Sequence, residues 1–194
     1  AVENFLQEAT NSEKNQFFDA VKNKQIVISS NYANILTDLS TPEEMNWITE
    51  YSRNLKRDHN ISIKTAMMSD IPGLSWSMVQ ALAQNGVRYF SNGPNYVESL
   101  PDKGDRVGHT IRDQGNKAFW WKSSSGKDSI LMWTCGKGYS SWHGTAQGAV
   151  VEKGPDKIAN YIYELDSIKY PYDMVQWRYN IVADNGPTDS AICD

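Results

Sequence analysis

An aspartate directly after a predicted strand is the residue of this sequence best placed to do chemistry. Residues 61–68 alternate in polarity and are rich in β-branched side chains, which predicts a strand. Asp70 follows in the stretch Ser-Asp-Ile-Pro-Gly-Leu-Ser-Trp, where Pro72 and Gly73 stop the strand and force a turn. Because ligands of α/β folds bind at the carboxyl ends of strands, this position favours a catalytic carboxylate. The alternative interpretation is a turn or N-cap aspartate that accepts backbone N–H bonds.

Residues that ligate metals are few. The three histidines are His59, His109 and His143, and none of them belongs to a His-x-x-x-His or His-x-Asp pattern. The two cysteines, Cys135 and Cys193, cannot form a four-cysteine metal site and lie too far apart for a redox motif. His143 follows a predicted strand, so both a pocket-lining and a structural role stay open for it. No phosphate-binding, dinucleotide-binding or serine-hydrolase motif occurs.

Aromatic residues are abundant, with seven tryptophans and ten tyrosines. Core packing explains most of them. Aromatic rings also stack on the apolar faces of sugar rings, while acids bind the sugar hydroxyls, so a pocket that combines Asp70 with aromatic residues suits a carbohydrate. The tryptophans concentrated in the middle of the chain are Trp76, Trp120, Trp121, Trp133 and Trp142.

Helices and strands that alternate along the chain must position these residues, and the alternation predicts an α/β fold with a mostly parallel sheet and flanking helices. Thr41, Pro42 and Glu44 form a predicted capping box. The glycine- and proline-containing region 91–117 is predicted to be a long surface loop. Residues 2–22 are predicted to form one helix or a pair of helices, and the other predicted helices cover residues 31–39, 41–58, 74–84 and 155–166. The predicted strands cover residues 25–29, 61–68, 87–90, 118–122, 129–134 and 174–182, with a hairpin joining 118–122 to 129–134.

Composition excludes two classes of partner. The 194 residues are 40% apolar and 22% charged, and they carry a net charge of −4. No apolar run is long enough to span a bilayer, so no membrane partner is expected. No basic stripe is present to neutralise phosphates, so no nucleic-acid partner is expected either. The chain starts without an initiator Met and ends just beyond a predicted strand, so we expect residues 1–194 to be a single domain cut from a longer protein.

Three segments, in this order, resemble the N-terminal catalytic domain of glycoside hydrolase family 38, the α-mannosidases. The first contains Asp70 at a strand end, the second runs from a helix into the next strand, and the third is an aromatic hairpin. The similarity covers most of residues 1–150. The segments are Ser69–Trp76, Ala81–Phe90 and Phe119–Trp133.

The resemblance implies a portion of a seven-stranded β/α barrel of the glycoside hydrolase/deacetylase type, with a zinc ion. Asp70 matches the carboxylate that serves this family as both nucleophile and zinc ligand in a retaining mechanism. The family's other zinc ligands would lie outside this chain, so we expect the chain alone to bind no zinc tightly. Pro72 replaces a turn phenylalanine typical of the α-mannosidases, so mannose specificity does not carry over.

The resemblance also implies a second carboxyl group that protonates the leaving oxygen. Asn185 stands at the matching position, and an amide cannot donate a proton as an acid does. Asp184 is therefore the candidate acid/base, either in its own right or through an alignment shifted by one residue. The candidate substrate-binding residues are Trp76, Tyr139, Trp142 and His143.

We therefore expect hydrolysis of a glycosidic bond by the full-length protein, with a carbohydrate as its partner and little activity in the isolated chain. Two alternatives stay open, a non-catalytic carbohydrate-binding or scaffold module and a metal-dependent polysaccharide deacetylase. The family implies that a secreted or periplasmic parent would carry a signal segment before residue 1.

Overall fold

The computed structural model describes residues 1–71, 73–93, 117–135 and 150–177, with the backbone alone at residues 150–153. Helices flank a four-stranded, mostly parallel β-sheet. The prediction of an α/β fold with such a sheet is confirmed. Within the described residues, no helix is both long and apolar enough to cross a membrane.

Six helices and four strands are described, and the strand order in the sheet is β1-β2-β4-β3. The helices are α1 (Val2–Glu8), α2 (Asn11–Lys22), α3 (Pro42–Trp47), α4 (Glu50–His59), α5 (Ser77–Gln84) and α6 (Val150–Ser167), and a 3₁₀ turn spans Thr37–Leu39. The strands are β1 (Thr65–Ser69), β2 (Tyr89–Gly93), β3 (Lys117–Lys122) and β4 (Ser129–Thr134).

Two capping boxes determine where N-terminal helices begin. At the start of α3, the Thr41 N–H donates to Glu44 Oε2 at 2.7 Å, and the Glu44 N–H donates to Thr41 Oγ1 at 3.2 Å. This box was predicted and is confirmed. Thr10 and Glu13 form the same pair at the start of α2. Each box satisfies N–H groups that the first turn of a helix leaves without intrahelical partners.

The N-terminal helices enclose an apolar core. The amphipathic pattern of residues 2–22 forms a pair of helices, one of the two predicted alternatives, since Thr10 starts a second helix. Burial of these side chains away from water is the main force that holds the helices together. The buried members are Phe18, Val21, Ile28, Leu55, Ile61 and Ile63, and Val2, Leu6, Phe17 and Tyr51 pack against them.

The predicted strand over residues 25–29 is wrong except at its end. Only Ser29 pairs with Thr65, in a single parallel bridge. Val27 is 71% exposed rather than buried. The N–H groups of residues 25 and 26 both donate to the carbonyl oxygen of Ala20, so this segment folds back on the end of α2 and cannot extend the sheet pairing.

The predicted helix over residues 31–39 is also wrong, because only the 3₁₀ turn forms there. Hydrogen bonds to distant segments replace the helical ones. The Tyr32 N–H donates to the carbonyl oxygen of Ile48 at 2.9 Å, and the Ser75 N–H donates to Thr37 Oγ1 at 2.7 Å. Tertiary contacts therefore decide the backbone here, and several apolar side chains of the segment remain exposed.

Strands β1 and β2 are parallel, and α5 connects them. The Arg88 N–H donates to the carbonyl oxygen of Lys64 at 2.8 Å, and the Asp70 N–H donates to that of Gly93 at 3.0 Å. Residue numbers rise together along both strands, which defines a parallel pair. The predicted helix is confirmed from Ser77 to Gln84, and the predicted Asn85-Gly86 stop is confirmed by the left-handed φ of +84° at Gly86.

Strand β4 continues the parallel part of the sheet. The Leu131 N–H donates to the carbonyl oxygen of Arg88, and the Cys135 N–H donates to that of Asn92, both at 2.8 Å. Because parallel strands share their direction, the carboxyl ends of β1, β2 and β4 lie at one edge of the sheet.

The hairpin formed by β3 and β4 is confirmed as predicted. The Ser123 N–H donates to the carbonyl oxygen of Asp128 at 2.9 Å, and Gly126 adopts a φ of +72° in the turn between them. Burial alternates along β4, which places Ile130 and Met132 on the buried face.

Helix α6 extends beyond its predicted bounds, from Val150 to Ser167, and buries Tyr161 and Leu165. The predicted strand over residues 174–182 is not formed in its described part, residues 174–177. The rest of it lies outside the described residues.

The chain divides into two compact units. The first unit consists of Ala1–Met67, Ser75–Phe90 and Trp120–Leu131, and the second consists of Met68–Leu74, Ser91–Phe119 and Met132–Asp194. Asp70 and the carboxyl ends of the parallel strands belong to the second unit, so the candidate site is built from its described residues.

Candidate functional site at the strand ends

Asp70 is the first residue after β1 and is exposed. Its φ of +60° is left-handed, a conformation that aspartate and asparagine adopt more readily than most residues. Its N–H donates to the carbonyl oxygen of Gly93, the last residue of β2. The backbone of Asp70 is therefore fixed to the neighbouring strand end.

Asp70 is not the N-cap of the helix that follows. Helix α5 begins at Ser77, its N-cap residue is Trp76, and no side chain caps it by a hydrogen bond. The capping role that was the alternative to catalysis would require Asp70 immediately before the first helical residue. The N-cap role is therefore wrong, whereas the turn role stays open beside the catalytic one. The Asp70 carboxylate is exposed at the edge of the sheet where α/β proteins bind their ligands.

The ends of β2 and β4 carry buried polar atoms. Asn92 is 1% exposed and Thr134 is 0% exposed. Neither Asn92 Nδ2 nor Thr134 Oγ1 has a hydrogen-bond partner among the described residues. A buried polar group without a partner costs about 1–3 kcal/mol, so such groups are rare and need an explanation.

Gln176 adds a third polar group to this edge. Its side-chain Nε2 donates to Ser91 Oγ. Its backbone carbonyl oxygen accepts a weak hydrogen bond from Cys135 Sγ at 3.9 Å. Its Oε1 has no partner among the residues that the structure describes. We refer to Asp70, Asn92, Thr134 and Gln176 as the strand-end site.

Aromatic contacts hold the segment that carries Gln176. The rings of Trp133 and Tyr172 lie 6.0 Å apart, and those of Tyr170 and Tyr172 lie 5.2 Å apart. The Tyr172 hydroxyl donates to the carbonyl oxygen of Ala118 at 2.8 Å. Burial raises the pKa of Tyr170, which is consistent with a ring removed from water. Trp133, Tyr170 and Tyr172 therefore pack against one another, the role expected for most of the aromatic residues.

Of the other predicted site residues, the structure describes only Trp76. Trp76 is exposed at the start of α5 and belongs to the first unit. Whether the remaining predicted residues join Asp70 stays a prediction, because Asp184, Tyr139, Trp142 and His143 lie outside the described residues.

The described residues do not form a zinc site. Among them, no group of three or more His, Cys, Asp or Glu side chains could hold a metal ion. His59 stacks on Phe18 with ring centroids 3.8 Å apart, which is a packing role. Asp70 is thus the one described residue that matches a zinc ligand in the resemblance.

Three residues of the strand-end site were not predicted from the sequence: Asn92, Thr134 and Gln176. The signal for two of them was present, since Ser91-Asn92-Gly93-Pro94 follows a predicted strand much as Ser69-Asp70 does, and Thr134 ends another. The rule that identified Asp70 identifies both once it is applied to every predicted parallel strand. Gln176 had no such signal, because its position depends on tertiary contacts.

Comparisons with known proteins assign no family: no family model matches this chain, and no curated protein matches it. The resemblance to family 38 therefore supports a proposal rather than an identification.

Proposed function

We propose that this chain is part of a retaining glycoside hydrolase of the α-mannosidase type, with the Asp70 carboxylate as nucleophile. The observation that carries the proposal is the place of Asp70, exposed immediately after β1 and bonded through its backbone to the end of β2. Nucleophilic and acid/base carboxylates of barrel hydrolases stand at the carboxyl ends of such strands.

The four described strands would form part of a seven-stranded β/α barrel. The parallel set β1, β2 and β4 and the connecting helix α5 agree with that architecture. In a barrel, side chains from several strand ends converge on one substrate, and this would bring residues beyond the described ranges towards Asp70.

The proposed reaction has two steps. In the first, an Asp70 carboxylate oxygen attacks the anomeric carbon, the bond to the leaving oxygen breaks, and a second carboxyl group, for which Asp184 is the candidate, protonates that oxygen. In the second, water attacks the anomeric carbon, the bond to Asp70 breaks, and the second carboxylate takes the proton from water. Two inversions retain the anomeric configuration, and they require the two carboxyl groups to lie about 5–5.5 Å apart.

The buried polar groups of the strand-end site would orient the substrate. Asn92 and Thr134 each offer hydrogen-bonding capacity that no described residue uses. A sugar hydroxyl, or a water molecule beneath the sugar, supplies the missing partner. A hydroxylated ligand can form these hydrogen bonds when it binds, and an apolar ligand cannot. The site should therefore bind a hydroxylated ligand more tightly.

Trapping of the covalent intermediate tests the proposal. The full-length protein is incubated with activated fluorinated glycosyl fluorides of several sugars, including mannose, since fluorine slows hydrolysis of the glycosyl-enzyme. We expect a mass increase of one fluorosugar on the peptide that contains Asp70. The Asp70→Asn variant should stay unlabelled, while the Asp166→Asn variant, altered at an exposed position on α6, should label normally.

Two results contradict the proposal. A label on a different carboxylate would show that Asp70 is not the nucleophile. Binding of oligosaccharides by the full-length protein without labelling or hydrolysis would favour the non-catalytic binding module instead.

A further inference from the structure

A cavity in the first unit lies away from any residue used in the proposed reaction. It has a volume of about 610 Å³, within the range of about 300–1,000 Å³ typical of small-molecule sites. The first turn of α1, helices α3 and α4, and the irregular segment after residue 31 contribute its walls. We call it the acidic cavity. Its lining includes three glutamates and three aromatic residues, namely Glu3, Glu44, Glu50, Tyr32, Trp47 and Tyr51.

Aromatic rings form part of its wall. Tyr32 is 60% exposed and Trp47 is 68% exposed, although both are large side chains that normally bury most of their surface. The rings of Tyr32 and Tyr51 meet edge to face, with centroids 5.7 Å apart and an interplanar angle of 75°. The cavity therefore presents aromatic surface to a ligand at little cost in rearrangement.

Its charge is negative. Glu3, Glu44 and Glu50 line it, and its described lining contains no Lys, Arg or His. Glu50 pairs with Arg53, but the partners of the other two carboxylates are neutral: the Tyr32 hydroxyl donates to Glu3, and Thr41 donates to Glu44. Two negative charges therefore remain uncompensated beside the aromatic rings.

The neighbouring tyrosines respond to this charge. The hydrogen bond to Glu3, and then the charge of Glu3, raise the pKa of the Tyr32 phenol. Burial and then the same charge raise the pKa of Tyr51. The field that opposes a tyrosinate anion would equally attract a cation.

A smaller cavity of about 180 Å³ shares Glu3, Tyr32 and Tyr51 with the first. It has room for about six water molecules at about 30 Å³ each. Asn31 lines it and is only 8% exposed, and neither its Oδ1 nor its Nδ2 has a partner among the described residues. Both atoms are covered, so a ligand reaches them only when this short side chain turns towards the cavity. An amide whose donor and acceptor both lack partners among the described residues can exchange hydrogen bonds with such a ligand.

We propose that the two cavities together bind a small hydroxylated amine, such as an amino sugar unit. The ammonium group sits between the carboxylates of Glu3 and Glu44 and the aromatic rings, where cation–π attraction and charge act together. Adjacent hydroxyls exchange hydrogen bonds with the Asn31 amide, which both donates and accepts. An anionic ligand is repelled by the carboxylates, and a neutral sugar gains no charge–charge attraction to them. The site does not depend on Asp70 or on the proposed hydrolysis.

Calorimetric titration of the intact chain at low salt tests this inference. Glucosamine is the probe, and glucose is the matched neutral ligand. We expect glucosamine to bind at least about tenfold more tightly than glucose, in line with the strength of a partly desolvated cation–π contact, and salt to reduce that preference. Equal affinities for the two sugars, or no binding of glucosamine, would overturn the proposal.

Paired variants locate the site. Glu44→Gln removes a charge while keeping a side chain that can complete the capping box, and it should remove most of the preference for glucosamine when combined with Glu3→Gln. Glu43→Gln removes a neighbouring exposed charge that does not line the cavity, and it should leave binding unchanged. Retained preference in the Glu3/Glu44 double variant would contradict the assignment.

The role of Asn31 has its own control. Asn31→Ala should weaken glucosamine binding several-fold but leave tetramethylammonium, a cation without hydroxyls, unaffected. Circular dichroism of each variant verifies folding, and Asn31→Leu, which keeps nearly the same shape but has no donor, acceptor or charge, substitutes for Asn31→Ala if the latter does not fold. Equal losses for both ligands would show that Asn31 does not contact hydroxyls, and the amino-sugar assignment would fall.

Discussion

In the strand-end site, Asn92 Nδ2 and Thr134 Oγ1 are buried and have no partner among the described residues, whereas the carboxylates of the acidic cavity are accessible and already bonded. The first arrangement is costly to the fold unless a ligand, ordered water or a residue beyond the described ranges supplies the missing bonds. The second costs little, because its groups keep their solvation and their local bonds. Substitutions in the strand-end site should therefore change the free energy of unfolding. Substitutions of the carboxylates in the acidic cavity should change it little, so ligand titrations are needed to detect that site.

The largest expected effect concerns the one carboxylate of the strand-end site. Asp70→Asn keeps the size of the side chain and removes its nucleophilic charge, so we expect kcat of the full-length protein to fall on the order of 10⁴-fold, the scale seen when a catalytic group is removed. Steady-state kinetics measures it, with Asp166→Asn as the control. Turnover within tenfold of the parent would remove Asp70 from the mechanism.

Two buried threonines then provide a matched test of the comparison. Thr37 is as buried as Thr134, but its Oγ1 accepts a hydrogen bond from the Ser75 N–H at 2.7 Å. Thr37→Val should lower the free energy of unfolding by about 2 kcal/mol, because it leaves the Ser75 N–H without its acceptor. Urea denaturation measures the change, and a loss below about 0.5 kcal/mol would mean that this bond contributes little.

Thr134→Val should have the opposite sign. Valine has nearly the same shape and removes a buried hydroxyl that no described residue satisfies. We therefore expect the free energy of unfolding to rise by about 1 kcal/mol, while binding of a glycan at the strand ends weakens. A destabilised variant would mean that the Thr134 hydroxyl already has a partner in the free protein. The strand-end site would then not differ from the acidic cavity in the way described.

The smallest effect is spectroscopic. Glu3→Gln should lower the pKa of Tyr32 towards its ordinary value of 10.0, because it removes the charge that opposes ionisation. In the parent, the folded state holds this phenolic proton more tightly than the unfolded state. That contribution to stability is therefore present below pH 10 and is lost as the pH rises through the raised pKa. Ultraviolet titration of the tyrosines measures the shift, and an unchanged titration curve would show that Glu3 does not set the field of the acidic cavity.

Local signals in the sequence predicted local structure well. The capping box at Thr41, the stop at Gly86 and the turn at Gly126 follow from a few neighbouring residues, and each is confirmed. The apolar stretch around Val27 and the segment before Thr37 were misassigned because distant partners determine their backbones.

The candidate site was predicted only as far as Asp70. That residue was accessible to sequence reasoning because a strand, a proline and a glycine mark its position. Asn92 Nδ2 and Gln176 Oε1 lack partners among the described residues because of how distant segments are arranged, and no local sequence pattern encodes this. The same holds for Asn31, whose amide looks like any other loop asparagine until its surroundings are known.

The left-handed backbone at Asp70 restricts which residues evolution can place there. Glycine, asparagine and aspartate accept this conformation readily, whereas β-branched residues do so rarely. Of these three, only aspartate carries a charge. If Asp70 is the nucleophile, as proposed, its mutation to asparagine would abolish activity and leave the fold almost undisturbed, so a lineage could exchange a hydrolase for a sugar-binding protein, and back again, by a single substitution at this position.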